Sequence, residues 1–251
     1  MRRVYWMEVK TEFLKMARMK QYSVSTIAFP LMFYVFFGLV MAASLPGGVS
    51  MSRYLLATYG AFSVMGATLY AFGVGVAVER GLGWLEVKRA SPMPPAAYFV
   101  AKAAVALAFS GIVITLLFAV GAIFGGVRMP AAQWLAMGAA LVVGGIPFAA
   151  IGLAIGSFAG PNSAPATVNM LYLPMAFCGG LWIPIEVLPK GLQQAAPFLP
   201  SYHLGQIALA IQQVPVQGTI AGHAGALAAF GLICAGVAWI GQNRDREKMY
   251  G

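Results

Sequence analysis

Two histidines, His203 and His223, are the side chains best suited to acid–base chemistry in a chain that has only 7 acidic residues. An imidazole acts as a base or relays a proton when a carboxylate or a nucleophile lies beside it. Neither histidine has an Asp or Glu close to it in the sequence. We therefore expect no catalytic site at either position, and we expect His203 to cap or pack the segment around it.

The two cysteines offer no alternative chemistry. Cys178 and Cys234 lie in different apolar segments, without the spacing of a metal site or the several pairs of a disulfide framework. The sequence also lacks GxxxxGKS or GxxxxGKT, the phosphate-binding loop of many ATPases. We therefore expect this chain to bind no metal and no cofactor. If it does work that needs energy, that energy must come from a partner.

One polar segment, residues 79–95, has the composition of a docking surface. Residues 83–90 can form about two helical turns, which Ser91-Pro92 would end because the residue before a proline disfavours the helical conformation. Trp84 and Leu85 give this helix an apolar edge, and the charges of Glu86, Lys88 and Arg89 could meet a partner. A simple reversal of direction needs fewer residues, although a plain connecting loop stays open as the alternative.

The composition of the whole chain requires lipid as its solvent. It is 60% hydrophobic and 9% charged, whereas ordinary soluble domains are about 25% charged. No Asp, Glu, Lys or Arg occurs in residues 129–185 or 191–243. A soluble fold would expose these runs as one very large apolar patch. The sequence therefore predicts an all-α integral membrane protein.

Six apolar runs are long enough to be transmembrane helices, which need about 20 residues each. They are separated by Pro, Gly and polar residues. The connection at 185–215 is too long for a turn and too polar for a span, so it predicts short re-entrant helices packed against protein. The six predicted spans cover residues 26–45, 54–78, 97–124, 131–157, 164–184 and 217–240.

The basic residues predict the orientation. Of the 16 Lys and Arg residues, all except Arg53, Arg128 and Lys190 fall in the N-terminal segment, in the second-to-third loop (with which we group Lys102) or in the tail at 241–251. Cytoplasmic loops carry such an excess. Six spans therefore place both termini in the cytoplasm. In this setting the net charge of +9 reports topology and does not indicate nucleic acid as a partner.

The first 25 residues predict an amphipathic helix in the membrane interface. Its expected apolar face includes Trp6, Phe13 and Met16, and its expected polar face includes Glu12 and Lys15. A solvated leader that only sets the topology is the alternative. The remainder, residues 26–251, would form one transmembrane domain.

The predicted span interiors contain only mild polar groups, and with Lys102 assigned to the loop they contain no Asp, Glu, Lys or Arg. A proton-driven transporter usually has an ionisable relay residue inside a span. A weak GxxxG match at Gly152 and Gly156, and small residues from Ser63 to Gly75, would allow helices to approach closely.

The order of these features resembles the permease subunits of ABC-2 type ABC exporters. The resemblance covers nearly the whole chain: the amphipathic start, six spans, a Glu-Arg-x-x-Gly-x-Leu-Glu-type loop at 79–86, the end of the fifth span at 177–184, and Phe-Leu-Pro-Ser-Tyr-His-Leu-Gly-Gln at 198–206. It implies a half-transporter in a bacterial cytoplasmic (inner) membrane. Two such chains, identical or related, would pair with two copies of a separate ATPase that binds ATP and Mg²⁺.

The resemblance also implies roles for residues. Residues 1–25 would be the connecting helix and residues 83–90 the coupling helix. The second and fifth spans would line the path at the dimer interface, and the scarcity of charge there favours a small apolar or amphipathic cargo. The implied coupling residues are Glu79, Arg80, Trp84, Leu85, Glu86, Lys88 and Arg89. The implied path residues are Thr58, Ser63, Tyr70, Asn169, Tyr172 and Phe177.

Two other functions stay open at this stage. A transporter or channel without an ATPase would be supported by a relay carboxylate inside a span. A non-transporting membrane scaffold would need neither a structured loop at 79–95 nor a re-entrant segment at 185–215.

Overall fold

The computed structural model describes residues 2–41 and 49–250, so the end of the first predicted span lies outside the described residues. The side chains of residues 21, 22, 25, 89, 95 and 244–250 are likewise outside the description. The described residues form helices joined by short connections, and no β-strand occurs among them. The first half comprises α1 (Arg2–Arg18), α2 (Lys20–Phe33) continued by a π-helix (Tyr34–Val40), α3 (Met51–Leu69), a π-helical turn (Tyr70–Val74), α4 (Gly75–Gly81) and α5 (Trp84–Ala90).

The second half contains the longest helices and a group of short ones. It comprises α6 (Pro95–Ile123), α7 (Ala131–Phe158), α8 (Ala164–Cys178), a 3-10 turn (Ile185–Val187), α9 (Lys190–Ala195), a second 3-10 turn (Ala196–Phe198), α10 (Pro200–Ile211) and α11 (Ile220–Tyr250).

Within the described residues, four helical stretches are long and apolar enough to cross a membrane: Met51–Gly81, Ala96–Ile123, Ala131–Phe158 and Ile220–Asn243. They match the second, third, fourth and sixth predicted spans. The first predicted span corresponds to a shorter apolar helix, Thr26–Val40. The fifth corresponds to α8, which has 15 residues and ends before Gly179, because Gly180 adopts a left-handed φ of 74°.

The α3 helix lies at the centre of the molecule. The stretch that contains it, Met51–Gly81, is the most buried of the four, because 78% of an apolar 18-residue segment within it is enclosed by the same chain. Glycines make this possible by letting large side chains reach the α3 backbone. A Cβ at Gly60 would lie 2.7 Å from Leu141, and one at Gly66 would lie 2.6 Å from the hydroxyl of Tyr172. These approaches place α7 and α8 directly against α3.

A similar approach joins α7 to the π-helical turn at Tyr70–Val74. A Cβ at Gly152 would lie 3.0 Å from the carbonyl oxygen of Leu69, and one at Gly156 would lie 2.6 Å from that of Phe72. The weak GxxxG match therefore marks a true backbone contact between two helices.

We predict that Gly156→Ala destabilises the protein by about 1–3 kcal/mol. The added methyl group would overlap the backbone of Phe72, which cannot move aside without disturbing the packing. Unfolding in mixed micelles measures the change. Gly236→Ala is the matched control, since α11 has open space around that Cβ. Equal unfolding midpoints for the two variants would contradict this packing.

Candidate functional site

A short surface helix, α5, follows the end of α4 through a two-residue turn. Gly83 is the N-cap of α5 and has a φ of 73°, a left-handed conformation that glycine adopts without strain. The helix ends at Ala90, where the hydroxyl of Ser91 donates a hydrogen bond to the carbonyl oxygen of Lys88. This places a helix within the segment where the sequence predicts one.

Beside this turn lies a cluster of buried charges, which we call the Lys102 cluster: Glu12, Lys15, Glu79, Tyr98 and Lys102. The Lys102 ammonium is 2.8 Å from a carboxylate oxygen of Glu12 and 3.1 Å from Glu79. Lys102 is only 1% exposed, and Glu12 and Glu79 are 4% and 7% exposed. Three helices, α1, α4 and α6, thus contribute charged groups to one small volume.

The remaining members complete the charge balance. Lys15 lies 3.2 Å from Glu12 and also donates to Glu79, while the hydroxyl of Tyr98 donates to Glu79. Two ammonium groups therefore face two carboxylates. Burial alone would lower the pKa of Lys15, but the hydrogen bond and charge of Glu79, with a contribution from Glu12, raise it. Lys15 therefore remains a cation throughout the physiological range.

A second ion pair ties α5 to α1. Lys88 donates to Glu8, and its ammonium lies 4.8 Å from the ring centroid of Tyr98. On the same side of α5, Leu85 packs against an apolar cluster that includes Met16. One face of α5 is therefore anchored to α1 and α6.

The end of α4 is attached to α7 as well. The guanidinium of Arg80 donates to the carbonyl oxygen of Ser157 and, at 2.7 Å, to that of Ala159. These carbonyl groups belong to the C-terminal end of α7, where helical acceptors lack partners within the helix. Arg80 therefore joins the end of α4 to the end of α7.

The side of α5 and its preceding turn that is opposite these contacts faces outward. Leu82 is 67% exposed, Trp84 is 54% exposed and Val87 is 62% exposed, and Glu86 lies exposed among them. We call these four residues the exposed face. The seven candidate coupling residues thus divide: Glu79, Arg80, Leu85 and Lys88 make contacts within the chain, and Trp84 and Glu86 point outward. The side chain of Arg89 is outside the described residues.

The structure brings together three of the six path candidates. The hydroxyl of Tyr70, in the π-helical turn, donates to Asn169 of α8, and the rings of Tyr70 and Tyr172 are 6.1 Å apart. Tyr172 also stacks on Phe62, with ring centroids 4.8 Å apart. These residues form a polar and aromatic group between two helices.

The other path candidates lie elsewhere. Thr58 and Ser63 are buried on α3, and the hydroxyl of Ser63 donates to the carbonyl oxygen of Gly60 in its own helix. Phe177 packs at the far end of α8, against a cluster that includes Ile185 and Tyr202.

Two expectations from the sequence need correction. Lys102 does not belong to a loop: it lies within α6, inside one of the four apolar stretches, so the expectation that no span contains a charge is wrong at this residue. Glu12 does not face solvent as the amphipathic pattern predicts, because it is only 4% exposed within the Lys102 cluster. The signal that could have identified Lys102 is a lone charge in a long apolar helix, which needs a partner.

These features define a class: an all-helical membrane protein with an anchored surface helix at one end of the bundle. Residues 3–213 match the family described as ABC-2 type transporter, and the chain therefore belongs to that family, which confirms the resemblance. It is also 31% identical over 194 residues, 77% of this chain and 79% of the other, to the Bacillus subtilis (strain 168) protein named "Putative transport permease YvfS".

We predict that Lys102→Met destabilises the protein by about 3–5 kcal/mol, because two buried carboxylates then share only Lys15. Unfolding in mixed micelles measures the loss. Lys10→Met is the control, since Lys10 lies exposed on α1. Adding Glu12→Gln to Lys102→Met should restore part of the stability. If Lys102→Met is as stable as Lys10→Met, the cluster does not hold these helices together.

Proposed function

We propose that this chain is the permease subunit of an ATP-driven exporter whose ATPase is a separate polypeptide. Membership of the ABC-2 family supports the transport role. In this proposal two permease chains, identical or related, pair with two ATPase subunits, and those subunits bind ATP and Mg²⁺. The complex alternates between inward-facing and outward-facing states. The permease itself has no nucleotide site.

The observation that carries this proposal is the exposed face held on an anchored helix. Leu82, Trp84 and Val87 form an uncovered apolar surface at the charged end of the bundle, and Glu86 adds a charge. A buried aromatic anchor surrounded by polar contacts is typical of protein interfaces. We propose that the ATPase covers this face.

The contacts behind α5 suggest how force would reach the bundle. A push on α5 acts on α1 through the Lys88–Glu8 pair and on α4 through the intervening turn. The Lys102 cluster then links α1, α4 and α6, and Arg80 links α4 to α7. These contacts join rigid elements, so a shift at α5 would move several helix ends together.

The cargo path is proposed at the group formed by Tyr70, Asn169 and Tyr172. The outward side of α8 is apolar, with Met170 76% exposed and Leu171 and Leu173 also exposed. We propose that this side meets the second permease chain. Uncharged polar and aromatic groups suit a small apolar or amphipathic cargo. The described side chains of this group carry no charge that would call for a charged cargo.

The proposed topology has six spans and both termini in the cytoplasm of the bacterial inner membrane. The helices at 26–40 and 164–178 would be the first and fifth spans. The Lys102 cluster, α5 and the basic residues of α1 would then lie together on the cytoplasmic side. Residues 185–211 would lie on the opposite side as short helices.

We predict that Trp84→Ala weakens association with the ATPase by roughly 10-fold or more, because it removes the largest side chain of the exposed face. Purification from the native membrane, followed by identification of a P-loop ATPase and an ATPase assay, measures this. Trp239→Ala is the matched control, since Trp239 is 67% exposed on α11. If no ATPase co-purifies with the unaltered chain, an ATP-independent transporter or a scaffold becomes the better hypothesis.

We further predict that Leu82→Cys and Phe198→Cys react from opposite sides of the membrane. Leu82 is 67% exposed beside α5, and Phe198 is 79% exposed in the second 3-10 turn. The background variant is Cys178→Ala with Cys234→Ala, which removes both native thiols. An impermeant maleimide added to intact cells should label Phe198→Cys alone. Labelling of both cysteines from outside would exclude the proposed topology.

A further inference from the structure

The two histidines of this chain meet in the fold, although 20 residues separate them. His203 lies on α10 and His223 lies in the first turn of α11. Their Nδ1 atoms are 2.9 Å apart, and the residues are only 9% and 6% exposed. A contact this short between two buried nitrogens needs a proton between them.

The other ring nitrogens decide how many protons the pair must hold. His203 Nε2 lies 2.9 Å from the carbonyl oxygen of Pro197, and His223 Nε2 lies 2.7 Å from that of Gln217. A carbonyl oxygen can only accept, so both Nε2 atoms must carry hydrogen. A neutral imidazole carries one N–H. Two neutral histidines would therefore leave two bare Nδ1 lone pairs facing each other.

We propose that His203 and His223 form one proton-binding site, which holds a single extra proton between the two Nδ1 atoms. The pair then has three N–H groups for its three contacts and a net charge of +1. Every ring nitrogen has a partner in this state. With the proton in place, the pair joins the second 3-10 turn, α10, the loop at Gln217 and α11.

A second extra proton is disfavoured at this site. It would place two imidazolium ions in direct contact within a buried environment. Burial lowers the pKa of His203, the hydrogen bond to Pro197 opposes this, and the charge of His223 lowers it further. The three hydrogen-bond contacts therefore require one extra proton, whereas burial and charge repulsion oppose a second. The link weakens when the pH rises enough to remove the shared proton.

The neighbouring elements add few other titratable groups. Tyr202 has its ring 5.5 Å from that of His203 and 5.8 Å from that of His223. Glu186 lines a cavity of about 230 Å³ together with Tyr202 and Gln217. Arg53 of α3 donates to the carbonyl oxygen of Gln212. The α7 helix contains no Asp, Glu, Lys or Arg.

The protonation state can be measured directly, because the whole chain has only these two histidines. Histidine-selective ¹⁵N labelling of the full chain in lipid nanodiscs gives four ring-nitrogen signals. At about pH 7 we expect both Nε2 atoms to be protonated and one further proton to be shared by the Nδ1 atoms. Two bare Nδ1 atoms, or one bare Nε2, would overturn the proposal.

Two variants separate the shared proton from simple packing. In His203→Asn the side-chain amide can take the Nδ1 position and donate to His223 without an extra proton. In His203→Gln the amide can keep the contact with Pro197 but loses the one with His223. Amide hydrogen exchange of residues 217–223, compared with the unaltered chain at each pH, reports the link.

We expect His203→Gln to speed this exchange roughly 10-fold near neutral pH, the effect of losing one charge-assisted hydrogen bond. The unaltered chain should lose its protection relative to His203→Asn as the pH rises. Equal pH dependence in the unaltered chain and in His203→Asn would overturn the proposal. These measurements use neither ATP hydrolysis nor transport, so they are independent of the proposed function.

Discussion

The buried ammonium of Lys102 is the constraint on which the cytoplasmic end of this protein depends, in the proposed orientation. A cation enclosed in an apolar bundle is very costly unless carboxylates surround it. Here the two carboxylates come from different helices, Glu12 on α1 and Glu79 on α4. A shift of α4 or α6 alone would leave a buried charge without its partners, and a shift of α1 would break the pairs that join it to both. The N-terminal helix is therefore part of the packed structure and does not merely lie on the membrane.

This constraint also explains how a seven-residue helix can present a defined surface. A helix as short as α5 is unstable by itself, because few hydrogen bonds offset the entropy of ordering it. Lys88 and Leu85 attach it to α1 and to the apolar cluster around Met16. Trp84 and Glu86 are then held outward in a fixed orientation. Attachment on one face and exposure on the other is the arrangement that a docking element requires.

Small residues impose a second constraint, on the centre of the bundle. Between helices in lipid, stability comes from close packing, since lipid tails are as apolar as leucine. Gly66 admits Tyr172 to the surface of α3, and Gly152 and Gly156 admit the π-helical turn to α7. The same approach brings Tyr172 and Asn169 of α8 beside Tyr70. The packing that stabilises α8 thereby forms the polar group proposed to line the path.

The sequence by itself determined the membrane class, four long helices and the helix near residues 83–90, because these depend on local composition, hydrophobic length and helix-ending residues. The motifs, in their order along the chain, also indicated the family. Only the tertiary structure decided that Glu12 turns inward to Lys102, 90 residues away, and that His203 meets His223. Such pairs depend on which distant helix faces pack together, and periodicity within a single helix cannot specify that.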